Sequence, residues 1–146
     1  MISPLLTTLS GRIHPRSAGE LSARLVAAAG LIYDAYGHLD LAAGFDANTA
    51  AVSQGLLFRV EAVLASVAAL LVLISRRRSV SILVALVTAS ALGAVLLYRY
   101  LDVGIIGPLP NMYEPIWYPE KAFSAIAEGG ALLAAGYLLL PRYRKQ

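Results

Sequence analysis

The side chains best suited to chemistry in this sequence are acids and one histidine that lie inside strongly apolar segments. Asp34 and His38 occur in the stretch IYDAYGHLD, four residues apart and therefore on one face of a helix. Glu61 and Glu128 lie within two later apolar segments. An ionised side chain in the middle of a membrane costs at least about 2.5 kcal/mol, so such residues typically mark a site for ions, protons or polar ligands.

The composition is that of a membrane protein. Of the 146 residues, 58% are hydrophobic and only 14% are charged, and the mean hydropathy is +0.68. A soluble domain carries about 25% charged residues. Four segments of roughly 20 mostly apolar residues are each long enough to cross a bilayer, which predicts an all-α, polytopic bundle of four transmembrane helices. The predicted spans are residues 25–45, 54–75, 79–101 and 119–140.

The whole chain, residues 1–146, is predicted to be one transmembrane domain. Shorter segments lie before and between its predicted spans. Ser17 and Glu20 fit a capping box, so the first helix is expected to begin beside them. Residues 1–16 have apolar side chains at helical spacing, which predicts an amphipathic segment on the membrane surface, with docking to a partner as the alternative. Residues 102–118 contain several prolines and predict an irregular outer loop that covers one end of the bundle.

The basic residues predict the orientation of the chain. Nine of the twelve Lys and Arg fall on one face of the four-span topology, which the positive-inside rule makes cytoplasmic. Both termini are therefore predicted to be cytoplasmic in an inner or plasma membrane. Eight of the nine acids lie in the outer half or outside it, and topology does not explain this because acids contribute little to it. The ten Arg against two Lys are typical of a GC-rich bacterial genome.

The face of the first helix that carries Asp34 is otherwise lined by small residues. Ala27, Gly30 and Gly37 share this face at helical spacing. Small residues allow a neighbouring helix to approach closely, so this stripe is expected to face the interior of the bundle. Similar stripes on other helices would also permit a homodimer.

Ionisable side chains from the four helices are predicted to line an outward-facing acidic cavity. Counting from the outer boundaries, His38 and Glu61 lie about 10 Å deep, Glu128 about 14 Å and Asp34 about 17 Å. The predicted ligand- or cation-binding residues are Asp34, His38, Glu61, Glu128, Arg99 and Lys121. The predicted rim or lid residues are Asp40, Arg59, Asp102, Glu114, Trp117 and Glu120.

The function predicted from this pattern is binding or conduction of a cation, a proton or a small polar ligand. Carboxylates concentrate cations, and a histidine exchanges protons near neutral pH. Few polar residues continue the path into the inner half, so a site open to one side is expected rather than a complete pathway.

Three other interpretations remain open. The charges could form structural ion pairs in an accessory or assembly subunit of a larger membrane complex. His38, Asp34 and Glu61 could hold a metal ion, although no other cofactor is predicted. A lipid-modifying enzyme, with the histidine as general base, is the least favoured. Expected partners are the lipid bilayer and other membrane subunits or a second copy. Nucleic acid is not an expected partner because no binding motif is present, and thiol chemistry is excluded because there is no cysteine.

Overall fold

A computed structural model describes residues 17–141, and the regular structure within this range is helical. The helices are α1 (Ala18–Ala42), α2 (Gln54–Ile74), α3 (Arg78–Tyr100) and α4 (Pro119–Leu139), and a 3-10 turn at Ala43–Phe45 extends α1. Helices α2, α3 and α4 are long and apolar enough to cross a membrane. The all-α prediction is confirmed. The predicted surface segment at residues 1–16 and the last basic residues lie outside the described residues.

Local sequence explains where three of the helices begin. The Ser17 hydroxyl accepts a hydrogen bond from the Glu20 main-chain nitrogen over 3.1 Å and caps α1. Ser53 caps α2 in the same way, accepting from the nitrogen of Leu56 over 3.0 Å. Pro119 starts α4, at a position where its missing N–H costs nothing. Each of these residues satisfies or removes a main-chain donor that the first helical turn leaves free.

Helices α1 and α2 are antiparallel and lie alongside each other over their whole length. Near the start of α1, Arg24 donates to the carbonyl oxygens of Val72 and Ser75 at the end of α2, over 2.6 and 2.5 Å. After the end of α1, Asp46 pairs with Arg59 in the first turns of α2. Helix α1 also packs against α4, and α3 packs against α2 and α4.

The interior of the bundle is built from small side chains. Most residues of the main buried cluster are alanines, and Ala27, Ala65 and Ala135 are each 0% exposed. Large apolar side chains point outward instead, including Ile126 and Leu133, which are 70% and 77% exposed. Close packing through small residues, with bulky apolar groups outside, suits helices that are surrounded by lipid.

Gly30 marks a close approach between α1 and α4. A methyl group added at this position would lie 2.5 Å from the main-chain oxygen of Ala127 and 2.9 Å from the Cβ of Ala131. At Gly37, two turns further along, an added methyl group meets no described atom within 4 Å. The stripe of small residues therefore faces a packed helix at Gly30, whereas none of the described helices closes on it at Gly37.

Substitution of Gly30 by alanine is expected to lower the free energy of unfolding by about 1–3 kcal/mol, because the main chain of α4 would have to move away. Gly37→Ala is the matched control and is expected to raise it by about 0.5–1 kcal/mol, through the better helix propensity of alanine. Denaturant unfolding in detergent, followed by circular dichroism, measures both values. Equal stability of the two variants would contradict close packing at Gly30.

One end of the bundle, here called the arginine end, carries the arginines at residues 76–78 and a buried ion-pair network. Glu20 and Arg24 are only 2% and 3% exposed. The Glu20 Oε1 atom accepts from Arg24 over 3.0 Å and also lies 3.3 Å from the Arg76 Nε. With its bonds to the end of α2, Arg24 ties the start of α1 to the α2–α3 connection.

The opposite end, here called the cap end, is covered by two loops, residues 46–53 and 101–118. The Asn48 side chain donates to the carbonyl oxygen of Asn111 over 2.8 Å and joins the two loops. Pro110 is fully buried between its neighbours. The proline-rich segment is therefore folded onto the first loop.

The predicted rim residue Asp102 shapes this second loop. Its Oδ1 atom accepts from the main-chain nitrogen of Gly104 over 3.2 Å and from the Asn111 side chain over 3.0 Å. Gly104 and Gly107 have φ angles of +66° and +56°, which residues with a side chain rarely adopt. The carboxylate of Asp102 thus holds a tight turn.

Candidate functional site

Asp34 and His38 are in contact on α1, as their spacing predicts. The Nδ1 atom of His38 lies 2.9 Å from the Asp34 Oδ1 and 3.0 Å from the main-chain oxygen of the same residue. A main-chain oxygen can only accept a hydrogen bond, so Nδ1 carries a hydrogen. Phe58 from α2 meets the imidazole edge-on, with ring centroids 5.1 Å apart. The imidazole is therefore held in one orientation.

Glu128 reaches the same place from α4 and is 0% exposed. The Ser124 hydroxyl donates to its Oε1 over 2.8 Å. The carboxyl group of Glu128 lies close enough to that of Asp34 for the two side chains to interact. Because neither oxygen of an ionised carboxylate is a donor, a hydrogen bond between the two groups requires that one of them carries a proton.

Glu61 brings a third carboxyl group from α2. Its side chain is half-buried and lies within electrostatic reach of Asp34 and His38. It is three residues after Phe58, which contacts the imidazole, so both lie on the face of α2 turned toward α1. The four ionisable residues Asp34, His38, Glu61 and Glu128 are called the carboxyl site below.

Several buried oxygens of the carboxyl site have no hydrogen-bond donor among residues 17–141. They are both carboxyl oxygens of Asp34, Oε1 of Glu61 and Oε2 of Glu128. Although the His38 nitrogen is near Asp34 Oδ1, its hydrogen is aimed at the main-chain oxygen instead. A buried acceptor without a donor costs about 1–3 kcal/mol. The site therefore has capacity for a proton, a cation or a polar group.

Two cations that were predicted to lie in or around the cavity have partners elsewhere. Arg59 donates two hydrogen bonds to Asp46, over 2.6 and 2.8 Å. The Lys121 Nζ lies 2.7 Å from the main-chain oxygen of Glu114 and 3.8 Å from its Oε2. Across the described part of the chain, no lysine or arginine forms an ion pair with the carboxyl site.

Arg99 also lies apart from the carboxyl site. Its guanidinium stacks on the rings of Tyr100 and Trp117, 5.0 and 5.6 Å from their centroids. Lys121 lies over the same Trp117 ring at 6.0 Å. The structure therefore brings four of the six predicted binding residues together and gathers the other two in a separate group at the cap end.

The remaining predicted rim residues have differing surroundings. Asp40 and Glu120 are exposed. Glu114 and Trp117 lie beside Lys121, at the base of the proline-rich loop. These residues border the group around Trp117 more closely than the carboxyl site.

Two titratable groups in the cap-end loops are perturbed by their neighbours. The hydrogen bond from Arg59 lowers the pKa of the Asp46 carboxyl, so this exposed pair is ionised at neutral pH. Burial, followed by the charge of Glu114, raises the pKa of Tyr118 to about 12. The Tyr118 hydroxyl therefore keeps its hydrogen and donates it to the Glu114 Oε2 over 3.4 Å.

Within residues 17–141, no three His, Asp or Glu side chains are arranged so that they could hold a metal ion. The metal interpretation of Asp34, His38 and Glu61 stays a prediction.

Two residues of the site were not among the predicted binding residues. Ser124 donates to Glu128, and Phe58 packs on His38. Ser124 is one turn before Glu128 and Phe58 is one turn before Glu61, so helical spacing could have identified both.

No protein-family model, curated protein or solved structure matches this chain. The function is therefore inferred from the side chains and their arrangement.

Proposed function

We propose that all four helices cross the membrane and that both termini are cytoplasmic. Helix α1 carries more charges than the others, but it lies along the whole of α2, so the two helices cross the same layer. Its outward side chains include Leu25, Ile32 and Leu39, which are 54%, 57% and 57% exposed and suit contact with lipid. The arginines at residues 76–78 favour a cytoplasmic arginine end.

Labelling of introduced cysteines tests this topology, because the chain has no cysteine of its own. Thr49→Cys at the cap end is expected to react with a membrane-impermeant maleimide in intact cells. Ser79→Cys at the arginine end is expected to react only after permeabilisation. The opposite pattern would mean that the orientation is reversed. Reaction of both cysteines in intact cells would contradict the proposed topology.

We further propose that the carboxyl site binds a proton or a small cation. The observation that carries this proposal is a pair of interacting buried carboxyl groups, Asp34 on α1 and Glu128 on α4, which have no lysine or arginine partner within residues 17–141. Two carboxylates this close and this poorly hydrated repel each other strongly when both are ionised. A proton or cation between them removes the repulsion and supplies the oxygens with a partner.

The other two residues suit exchange of the bound ion with the surroundings. Since the hydrogen on the His38 Nδ1 is held by Asp34, the Nε2 atom is the one that takes up or releases a proton. Glu61 is the least buried carboxyl of the site and offers a relay between its interior and the surface of the bundle. A site of this kind serves binding or transfer of a cation; no covalent chemistry is required.

The accessory-subunit interpretation is the second candidate, and two ion pairs favour it. Arg24 with Glu20 and Arg59 with Asp46 hold helix ends in register, as structural charges do. Pairing of this kind does not extend to the carboxyl site in the described residues, so it accounts for the ends of the bundle and not for its middle.

Thermal unfolding of the detergent-purified chain tests the proposed binding. Wild type, Asp34→Asn and Glu61→Gln would be melted over a pH series and with Na⁺, K⁺, Mg²⁺, Ca²⁺, Zn²⁺ or EDTA, with the exposed Asp40→Asn as the matched control. An ion that binds only the folded state adds about 2.7 kcal/mol at a hundred times its Kd, and Tm rises accordingly. The rise is expected in wild type and in Asp40→Asn, and to be lost in the two site variants.

The same measurement separates the two candidates. If Tm depends on neither pH nor any of these ions, and each site variant simply melts lower than wild type, the carboxyl groups are structural and the ion-binding proposal fails. A proton as the ligand gives dependence on pH alone, whereas a metal cation adds dependence on that ion.

A further inference from the structure

Two cations at the cap end converge on one aromatic side chain. Arg99 comes from the last turn of α3 and Lys121 from the first turn of α4. Both lie over Trp117, with 5.6 Å from the guanidinium carbon and 6.0 Å from the Nζ to the ring centroid. Tyr100 and Tyr118 flank them at 5.0 and 5.9 Å. The rings thus form a platform contacted by two cations that lie within electrostatic reach of each other.

Within the described residues, only one of these two cations has an ion-pair partner. The one carboxylate paired with the group in the described residues is that of Glu114, whose Oε2 lies 3.8 Å from Lys121 and also accepts from Tyr118. Within the same residues Arg99 has no ion pair, and its buried Nε has no acceptor. The carbonyl end of a helix attracts positive charge, which favours Arg99 at the end of α3. This attraction does not supply a hydrogen-bond acceptor for the Arg99 Nε.

We infer that Arg99 and Lys121 bind a phosphate group on the Trp117 platform. Guanidinium and ammonium groups held close together are suited to one anion with several acceptor oxygens, and arginine binds phosphate through two parallel hydrogen bonds. Tryptophan and tyrosine concentrate where the hydrocarbon core meets the headgroups, so the platform lies at the depth of lipid phosphates. The phosphate belongs either to a lipid headgroup or to a soluble phosphate compound.

This inference is independent of the ion proposed for the carboxyl site. Lys121 and Glu128 are seven residues apart on α4, or roughly 10 Å along the axis, and no ion pair joins the two groups in the described residues. The choice of phosphate as the anion does rest on the proposal that the bundle lies in a membrane.

Trp117 is the only tryptophan of the chain, so its fluorescence reports directly on this site. The detergent-purified chain would be titrated with dihexanoylphosphatidylglycerol, with inorganic phosphate, and with uncharged dihexanoylglycerol as the control probe. The variants are Arg99→Gln and Lys121→Gln, and Arg59→Gln is the matched control because that arginine pairs with Asp46 away from the platform.

A saturable fluorescence change is expected with a phosphate probe and not with dihexanoylglycerol. Its Kd should weaken at least about tenfold in each site variant and change less than about twofold in Arg59→Gln. Saturation by the phospholipid alone identifies a headgroup site, and saturation by inorganic phosphate as well identifies a general phosphate site. Should Arg99→Gln not fold, Arg99→Lys keeps the charge without the guanidinium fork and is expected to weaken binding in the same assay. The inference is overturned if neither phosphate probe saturates, or if the site variants bind as tightly as Arg59→Gln.

Discussion

Replacement of Arg24 by methionine is expected to lower the free energy of unfolding by about 3 kcal/mol, the lower end of the range for breaking a buried ion pair. Methionine fills similar space but leaves the buried Glu20 carboxylate with less compensation, and the carbonyl oxygens of Val72 and Ser75 lose their donor. Glu20 keeps its contact with Arg76, which is why the lower end applies. Urea unfolding in a mild detergent measures the change.

Two further variants make this prediction specific to the buried pair. Arg77→Met removes an exposed arginine of the same end and should change stability by less than about 0.5 kcal/mol. The double variant Glu20→Leu/Arg24→Met removes both buried charges and should recover part of the loss. If Arg24→Met costs no more than Arg77→Met, the network at the arginine end does not hold the first two helices together.

If Asp34 and Glu128 share a proton, replacement of Glu128 by glutamine is expected to make stability independent of pH in the range where wild type would lose that proton. The amide nitrogen can donate to Asp34 permanently, as a protonated carboxyl group does, and Oε1 can still accept from Ser124. At a pH high enough to ionise both carboxyl groups of wild type, the variant should be more stable by about 1 kcal/mol or more. At low pH the two proteins should melt together.

The sign of this effect separates a binding site from a structural pair. Asp46→Asn neutralises an acid that is fully paired with Arg59, and it should lower Tm slightly at neutral pH because the ion pair is lost. A fall in Tm for Glu128→Gln at every pH would mean that its charge stabilises the fold, and would falsify the shared-proton interpretation. Parallel melting curves of both variants over one pH series supply the comparison.

Helical periodicity and capping residues were enough to predict much of this fold. Ser17 and Pro119 mark helix starts through their own main-chain chemistry, and the contact between Asp34 and His38 follows from their spacing on one helix. Predictions of this kind are local, because they depend on residues a few positions apart. They therefore need no knowledge of the neighbouring helices.

The pairing between helices could not be predicted in the same way. Periodicity gives the face on which Glu128 or Lys121 lies, but not the rotation of α4 against α1 and α3. Asp34 meets Glu128, whereas Lys121 lies with Trp117 and Glu114, and a small rotation of α4 would alter both contacts. The six residues that were predicted to line one cavity therefore lie in two separate groups. Arg24 is buried, and nothing local in the sequence indicates this.

The alanine-rich interior limits how this protein can change shape. Alanine has no side-chain rotamers, so the buried surfaces of α1, α2 and α4 can hardly repack by changing side-chain conformation. Any motion that opens or closes the bundle has to slide or rotate whole helices against each other as rigid bodies, since shear of this kind leaves smooth surfaces in contact. Gly30 is one point at which such sliding is restrained, because there the two backbones touch.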